Sequence, residues 1–210
     1  MKSAVLALCV ASLIGWPAAG AEKLIGTQPP EWQVTNWFNS VPLRLEDLRG
    51  KVVLVRWWTA PDCPYCKATA PALNEFYETY HKRGLEVVGL YHHKSDQPLD
   101  VAEVTRFARN FGFKFPNAID ADWRTLRSWW LNDHDRAWTS VSFLIDRRGI
   151  IRYIHPGGQY VKGDTDYRAM KQKIEELLEA PNSKLQIPEK IQISSPKLGQ
   201  PVFSYGKNAP

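Results

Sequence analysis

Two cysteines of this chain, Cys63 and Cys66, have a spacing that predicts redox chemistry. They enclose Pro64 and Tyr65 in a C-P-Y-C motif, and one further cysteine, Cys9, lies in an apolar stretch near the start of the chain. Two thiols three positions apart on a helix lie on the same face, so a reversible disulfide between them is geometrically reasonable. The motif therefore predicts thiol–disulfide exchange.

The elements around the motif are expected to hold both sulfurs at the entrance of a helix. Residues 52–57 are rich in β-branched and aromatic side chains and predict a strand, residues 59–62 predict a turn, and a helical pattern follows. Unpaired backbone N–H groups and the positive end of the helix dipole favour thiolate over thiol at such an entrance. Pro64 suits the first helical position. We therefore expect Cys63 to be the nucleophile.

A structural disulfide and half of a zinc site are two other interpretations of the motif. Closing so short a loop stabilises a fold by only about 2 kcal/mol on the chain-entropy model, less than a long loop would. A structural zinc ion needs two more ligands from the five histidines, and none of these lies at a recognisable ligand spacing. The sequence thus favours a redox pair, and we expect neither a bound metal nor a cofactor.

The N-terminus predicts the compartment in which this thiol pair works. Lys2 precedes an apolar run over residues 4–14, and small residues at positions 19–21 match a signal-peptidase site. We interpret residues 1–21 as a cleaved signal peptide that carries Cys9 away, with an uncleaved membrane anchor as the alternative. The mature protein is then periplasmic or otherwise exported, where disulfides form and persist.

Composition limits the domain count and the partners. The formal net charge is +5, or +4 without Lys2, and it is spread without a long basic block, so nucleic acid is not an expected partner. A hydrophobic content of 44% supports one good core, which we assign to residues 22–180. Residues 181–210 are rich in Pro, Ser, Lys and Gln and are predicted to form an extended C-terminal tail, which either adds to the domain or is disordered.

Hydrophobic periodicity predicts an α/β protein. After the helix that begins at the cysteines, Gly84 ends the pattern and residues 85–90 read as a buried strand, which implies a parallel crossover. A second helix is predicted over residues 101–111 and a short third helix over residues 122–130. Residues 143–146 and 150–154 flank a turn and predict a hairpin, and a last helix follows Asp164 as its cap.

With these elements and motifs, the chain resembles the thioredoxin-like superfamily, specifically exported thiol–disulfide proteins of the TlpA and ResA type. The resemblance rests on the lead-in at residues 45–51, Trp58, the C-P-Y-C motif, Pro71, and F-L-I-D followed by R-R-G at residues 143–149. It implies a thioredoxin-like fold with a central mixed β-sheet flanked by helices. It also implies that Cys63 attacks a partner's disulfide and that Cys66 resolves the mixed disulfide.

The same resemblance implies partners and a docking surface. The expected partners are protein thiols and disulfides together with a membrane-linked electron donor, the expected state is a monomer, and the favoured direction is reduction of the partner. Four residues beside the cysteines are the expected substrate-docking residues: Pro64, Tyr65, Thr139 and Ser140.

Four positions depart from the family pattern. Ser140 holds the position of the usual cis-proline, and we expect a trans Thr139–Ser140 bond because a non-proline cis bond costs several kcal/mol. Arg56 stands where thioredoxins keep a buried acid, and Thr69 replaces a glutamate of ResA-type reductants, so proton handling must differ or use water. Asp62 opposes and Lys67 favours a Cys63 thiolate, and the sequence does not rank these two charges.

Two other functions remain open at the sequence level. A thiol peroxidase would share the fold, although Thr59 lies four residues before Cys63 instead of three. A non-catalytic module could instead bind copper through the two cysteines and a histidine, or serve only for docking. His92 and His93 are interpreted as exposed loop histidines in preference to ligands, and the triplet at residues 133–135 as a solvated loop.

Overall fold

A strand of seven buried residues, β2 (Val52–Trp58), forms the centre of the fold. The computed structural model describes residues 21–132 and 138–181. Because successive side chains of a strand point to opposite faces, β2 contributes to two apolar cores. One core contains Val52, Leu54 and Trp58, and the other contains Val53, Val55 and Trp57.

Six strands form one mixed sheet in the order β1-β4-β3-β2-β5-β6. The strands besides β2 are β1 (Thr35–Phe38), β3 (Leu85–Tyr91), β4 (Asn117–Ile119), β5 (Ser142–Ile145) and β6 (Ile151–His155). β2, β3 and β4 run parallel, whereas β1, β5 and β6 pair antiparallel with their neighbours. The register pairs Trp58 with Tyr91, so the ends of β2 and β3 lie side by side at the edge where the cysteine motif begins.

Helices cover both faces of the sheet. They are α1 (Pro64–Tyr80), α2 (Val101–Asn110), α3 (Arg124–Leu126) and α4 (Thr165–Glu179). Residues of α1, α2 and α4 pack in the core with Leu54, whereas α3 and the π-helical turn that follows it, Arg127–Leu131, pack in the core with Trp57. This arrangement is a thioredoxin-like α/β fold, as the sequence predicted.

Most predicted elements are confirmed, with one difference in type and two omissions. The predicted third helix is a short α-helix followed by a π-helical turn. Strands β1 and β4 were not predicted, because β4 has only three residues and β1 has only four, the first two of them polar and exposed. Such short segments carry too few alternating positions to show a strand period.

Three predictions fall wholly or mainly outside the described residues. They concern the signal peptide over residues 1–21, the loop at residues 133–135 and the tail over residues 181–210. Across the two described ranges, no helix has the length and apolar character needed to cross a membrane.

Candidate active site

A strand, a turn and a helix hold the cysteine pair where the sequence predicted. Cys63 is the N-cap of α1, with extended backbone angles (φ −70°, ψ 109°), and Pro64 is the first helical residue. The Cys66 backbone N–H donates to the Cys63 sulfur at 3.3 Å, which satisfies one of the free donors of the first helical turn. The cap is therefore the reactive atom itself.

The two sulfurs lie 2.7 Å apart as free thiols, and the Cys66 thiol donates to the Cys63 sulfur. Cys63 is half-buried, whereas Cys66 is only 3% exposed. The side-chain hydrogen bond from Cys66 is the main cause that lowers the pKa of Cys63 to about 6, against the opposing effect of burial. The same bond, together with burial, raises the pKa of Cys66. The pair thus has one accessible thiolate and one protected thiol.

The charged side chain that lowers the pKa of Cys63 is Arg56, on β2. The sequence left open whether Asp62 or Lys67 has the larger effect on Cys63, and neither is among the groups that shift the pKa of Cys63. Arg56 is fully buried and donates to the Ser140 carbonyl, to the Ser142 hydroxyl at 3.3 Å and to the Gly158 carbonyl at 2.8 Å. A buried cation therefore stands where a thioredoxin has a buried acid.

The segment that begins at Trp138 lies beside the motif, because Trp138 contacts Tyr65. Ser140 is buried, and its hydroxyl accepts from the Gly158 N–H at 2.9 Å while its carbonyl accepts from Arg56. No cis peptide bond occurs among the described residues, so the Thr139–Ser140 bond is trans, as expected. Thr139 is more accessible than Ser140, and its hydroxyl bonds to the ring of His92 at 2.9 Å.

The interpretation of His92 as an exposed loop histidine is wrong. His92 follows β3 directly and is only 1% exposed. Its backbone N–H continues the sheet by donating to the Trp58 carbonyl at 3.0 Å. Burial lowers the pKa of His92 to about 3, and its ring packs edge-on against Trp123. His92 is thus a neutral residue that ties the Thr139 segment to the sheet.

Two aromatic side chains form the exposed wall of the site. Tyr65, inside the motif, is 36% exposed and meets Trp138 edge-on, with ring centroids 5.3 Å apart. Trp138 is 50% exposed, and Gly157 lies beneath it, where an added Cβ would be 2.2 Å from the Trp138 Cβ. The sequence indicated Tyr65 but missed Trp138, because the contact joins segments 73 positions apart.

Thr69, which replaces a glutamate of the family pattern, is a buried structural residue. Its hydroxyl accepts from the Tyr160 N–H at 3.3 Å, and the Tyr160 hydroxyl lies 3.2 Å from that of Ser142. His155 ends β6 and is also buried, 3.4 Å from the exposed Asp166 carboxylate. Burial and the charge of Arg56 lower the pKa of His155. These neutral groups surround Arg56 without supplying a carboxylate to it.

The described part of the chain offers no metal centre beside the cysteines. Within residues 21–132 and 138–181, no three side chains of His, Cys, Asp or Glu cluster in a way that could hold a metal ion. Two thiol sulfurs alone do not complete the tetrahedral set that zinc prefers.

Comparisons with known proteins identify a family and several relatives of this chain. A family model described as the AhpC/TSA family matches residues 25–154. The chain is 30% identical over 184 residues to Protein DipZ of Mycobacterium bovis, and the match covers 85% of this chain but 25% of DipZ. It is 33% identical over 132 residues to the thiol-disulfide oxidoreductase ResA of Bacillus thuringiensis, covering 62% of this chain and 69% of ResA.

A solved structure is similar over most of the described domain. It is the crystal structure of a Chlorobium tepidum protein provisionally named as the thiol:disulfide interchange protein DsbE, with 25% identity and a TM-score of 0.59. The superposition covers 73% of this chain and 97% of that protein. The sheet described above and the similarity to the DsbE and ResA relatives show that the chain has the thioredoxin-like fold. Because the family model matches residues 25–154, the chain belongs to the AhpC/TSA family.

Proposed function

We propose that this protein is a thiol–disulfide oxidoreductase that exchanges disulfides with protein partners through Cys63 and Cys66. The observation that carries the proposal is the asymmetry of the pair. Cys63 is accessible and its pKa is lowered to about 6, whereas Cys66 is buried 2.7 Å away with a raised pKa. At neutral pH such a pair presents one thiolate to a partner and keeps a second thiol in reserve.

The proposed reaction has two exchange steps. The Cys63 thiolate attacks one sulfur of a partner disulfide, an intermolecular disulfide forms, and the other partner sulfur leaves as a thiolate. Cys66 then loses its proton and attacks the Cys63 sulfur, which breaks the intermolecular bond and releases the partner as a dithiol. Two electrons and the single proton of the Cys66 thiol leave the cysteine pair, a second proton comes from water to complete the partner dithiol, and the Cys63–Cys66 disulfide remains.

We infer that the partner docks on the aromatic wall beside Cys63. Tyr65 and Trp138 supply exposed apolar surface next to the half-buried sulfur, and Thr139 follows Trp138 directly. Pro64 borders the same sulfur. The hydroxyl of Ser140 already accepts from Gly158, so we assign Ser140 to shaping the segment and not to direct contact through its side chain.

The direction and setting that we propose follow the resemblance to TlpA-type and ResA-type proteins. The protein reduces its partners outside the cytosol as a monomer, and a membrane-linked donor then reduces it again. Its C-P-Y-C motif favours a reduction potential on the order of −200 mV, between thioredoxin and DsbA. Export is supported by the apolar N-terminal sequence, and disulfides form and persist in the compartments that exported proteins reach.

The first experiment tests the redox couple itself. The mature protein is equilibrated with glutathione buffers and its tryptophan fluorescence is followed, with Cys63→Ser as the control that cannot form the disulfide. We expect one reversible two-electron transition for the native pair and none for the control. A potential above about −180 mV would overturn the reducing direction and favour an oxidant or isomerase.

A second experiment tests the assigned roles of the two cysteines. The Cys66→Ser variant should accumulate mixed disulfides with protein substrates, because resolution is blocked, whereas Cys63→Ser should form none. Steady peroxide consumption by Cys66→Ser, without a reversible couple in the native protein, would contradict the proposal and support a thiol peroxidase. Stoichiometric Cu(I) binding without any disulfide exchange would support a metal-binding module.

A further inference from the structure

Arg56 is a fully buried cation in the middle of an apolar strand face. It lies between Leu54 and Trp58 in sequence, and these two residues pack in the core that also contains Cys66, Ala70 and Leu73 of α1. Alternation along β2 therefore directs Arg56 toward the same face of the sheet as helix α1, whose first turn carries Cys66. An arginine at a position of this kind is seldom fully buried unless it is paired.

The neighbours of Arg56 are polar but uncharged. The guanidinium donates to two carbonyls and to the Ser142 hydroxyl, lies 5.4 Å from the centre of the Tyr160 ring, and keeps its Nε without a partner. Across residues 21–132 and 138–181, no carboxylate forms an ion pair with it. A buried charge without a counterion destabilises a fold, so this position calls for an anion.

The titratable groups under the influence of Arg56 come from every element around it. They are Cys63 and Cys66 at the start of α1, His92 after β3, His155 at the end of β6 and Tyr160 in the loop before α4. The two histidines are neutral because burial lowers their pKa values, and burial raises the pKa of Tyr160. Among these groups, only the cysteines can supply a negative charge at neutral pH.

We propose that the Cys63 thiolate of the reduced pair is the counterion of Arg56, and that Arg56 is a positioning residue that stabilises this thiolate. The inference rests on the proposed function. It assigns a role to Arg56, which stands at the position of the buried acid of thioredoxins. An acid at this position can accept a proton, whereas arginine keeps its own. The proton of Cys66 must therefore leave to water or to the departing thiolate of the partner.

A redox consequence follows from this placement of charge. The thiolate exists only in the reduced state, so a fixed cation beside it favours the reduced state over the disulfide. Stabilising the reduced form makes a protein a stronger oxidant and a weaker reductant. Arg56 is thus expected to raise the reduction potential of the pair above the value that the same motif would have without it.

The test compares three variants by the pH dependence of Cys63 alkylation and by equilibrium with glutathione. Removing the charge in Arg56→Met should move the alkylation midpoint upward from about 6 by about one pH unit. It should also shift the glutathione equilibrium toward the disulfide about tenfold, which corresponds to about 30 mV.

Arg56→Lys should keep most of both values, because the charge remains. Arg147→Met removes an arginine that binds the carbonyls of Leu178 and Ala180, and serves as the control for net charge.

Two outcomes would overturn the inference. One is an unchanged midpoint and equilibrium in Arg56→Met; the other is an equal shift in the methionine and lysine variants, which would reduce Arg56 to a clamp on the Ser140 segment. If Arg56→Met does not fold, Arg56→Gln decides the matter by the same readouts, because it keeps hydrogen-bonding capacity without charge. A native protein with no reversible couple would instead refute the proposed function itself.

Discussion

At the scale of single residues, reactivity depends on three different causes that meet at the Cys63 sulfur. The N-cap position brings the Cys66 N–H to the sulfur, the Cys66 thiol donates to it, and the charge of Arg56 acts on it through the core. The first two causes come from residues within the motif, whereas the third comes from a strand. The neighbour in sequence, Asp62, does not determine the pKa of Cys63, because the side-chain hydrogen bond from Cys66 and the charge of Arg56 lower it.

Trp138 provides a residue-scale prediction about partner binding. Replacing Trp138 by Ala should lower kcat/KM for a protein disulfide about fivefold to tenfold, because an exposed aromatic anchor beside the reactive sulfur is lost. Reduction rates of a small disulfide such as oxidised glutathione should change little in the same variant, and stopped-flow fluorescence measures both. Trp138→Phe, which keeps an aromatic ring against Tyr65, is the matched control. Equal losses for the large and small substrates would contradict a docking role.

At the scale of elements, side-chain caps mark the starts of the three long helices, α1, α2 and α4. Cys63 caps α1, Asp100 caps α2, and Asp164 caps α4 by accepting from the Tyr167 N–H at 2.6 Å and the Val161 N–H at 2.7 Å. The last of these caps supports the site indirectly, because the loop before α4 carries Gly158 and Tyr160, which contact Arg56. The start of α4 is thus coupled to the surroundings of the buried cation.

Asp164 provides an element-scale prediction about the cap of α4. Asp164→Ala should lower the free energy of unfolding by about 1 kcal/mol or more, since two backbone donors lose their acceptor. Asp164→Asn removes the same charge but keeps one acceptor oxygen, which can still cap the Tyr167 N–H, so it should cost about half of that amount. Chemical denaturation of both variants gives the comparison. A similar loss in the two variants would mean that the charge, and not the cap, stabilises this helix start.

At the scale of the whole molecule, two buried histidines make the stability of the fold dependent on pH. His92 keeps a pKa of about 3 in the folded protein, far below its ordinary value of 6.5, because its ring is buried between the sheet and Trp123. The unfolded chain therefore binds a proton below pH 6.5 that the folded protein does not, and stability falls as the pH falls. His155, with a lowered pKa, acts in the same direction.

The corresponding prediction is a loss of stability between pH 7 and pH 5 in the oxidised protein, where the cysteines do not titrate. His92 alone should account for a decrease of about 2 kcal/mol over this window. The free energy of unfolding is measured by denaturant titration at pH 7, 6 and 5. His92→Gln should reduce the slope, and His93→Gln, a change at its partly exposed neighbour, is the control. An unaltered slope in His92→Gln would show that His92 is not the responsible group.

The local pattern of the chain was sufficient to predict the cysteine pair, the strand before it, the helix that begins at it and the final hairpin and helix. These features depend on interactions between residues close in sequence: a cap, a helical period or a strand period. Segment order predicted the parallel pairing of β2 with β3, because a helix between two buried strands implies a parallel crossover, whereas the thioredoxin-like mixed sheet was implied by the resemblance. The short strands β1 and β4 were missed because their pairing is set by neighbours distant in sequence.

The charges near Cys63 and Cys66, and the solvent access of these two residues, depend on tertiary packing and could not be predicted from local sequence. Arg56, Ser140 and Gly158 meet across more than 80 positions of sequence, and Tyr65 meets Trp138 across 73. The burial of His92 likewise depends on Trp123 and Thr139, which belong to other segments. A residue type and its spacing determine which chemistry is available, but the charge, the solvent access and the partners of a reactive group depend on which distant segments the fold brings to it.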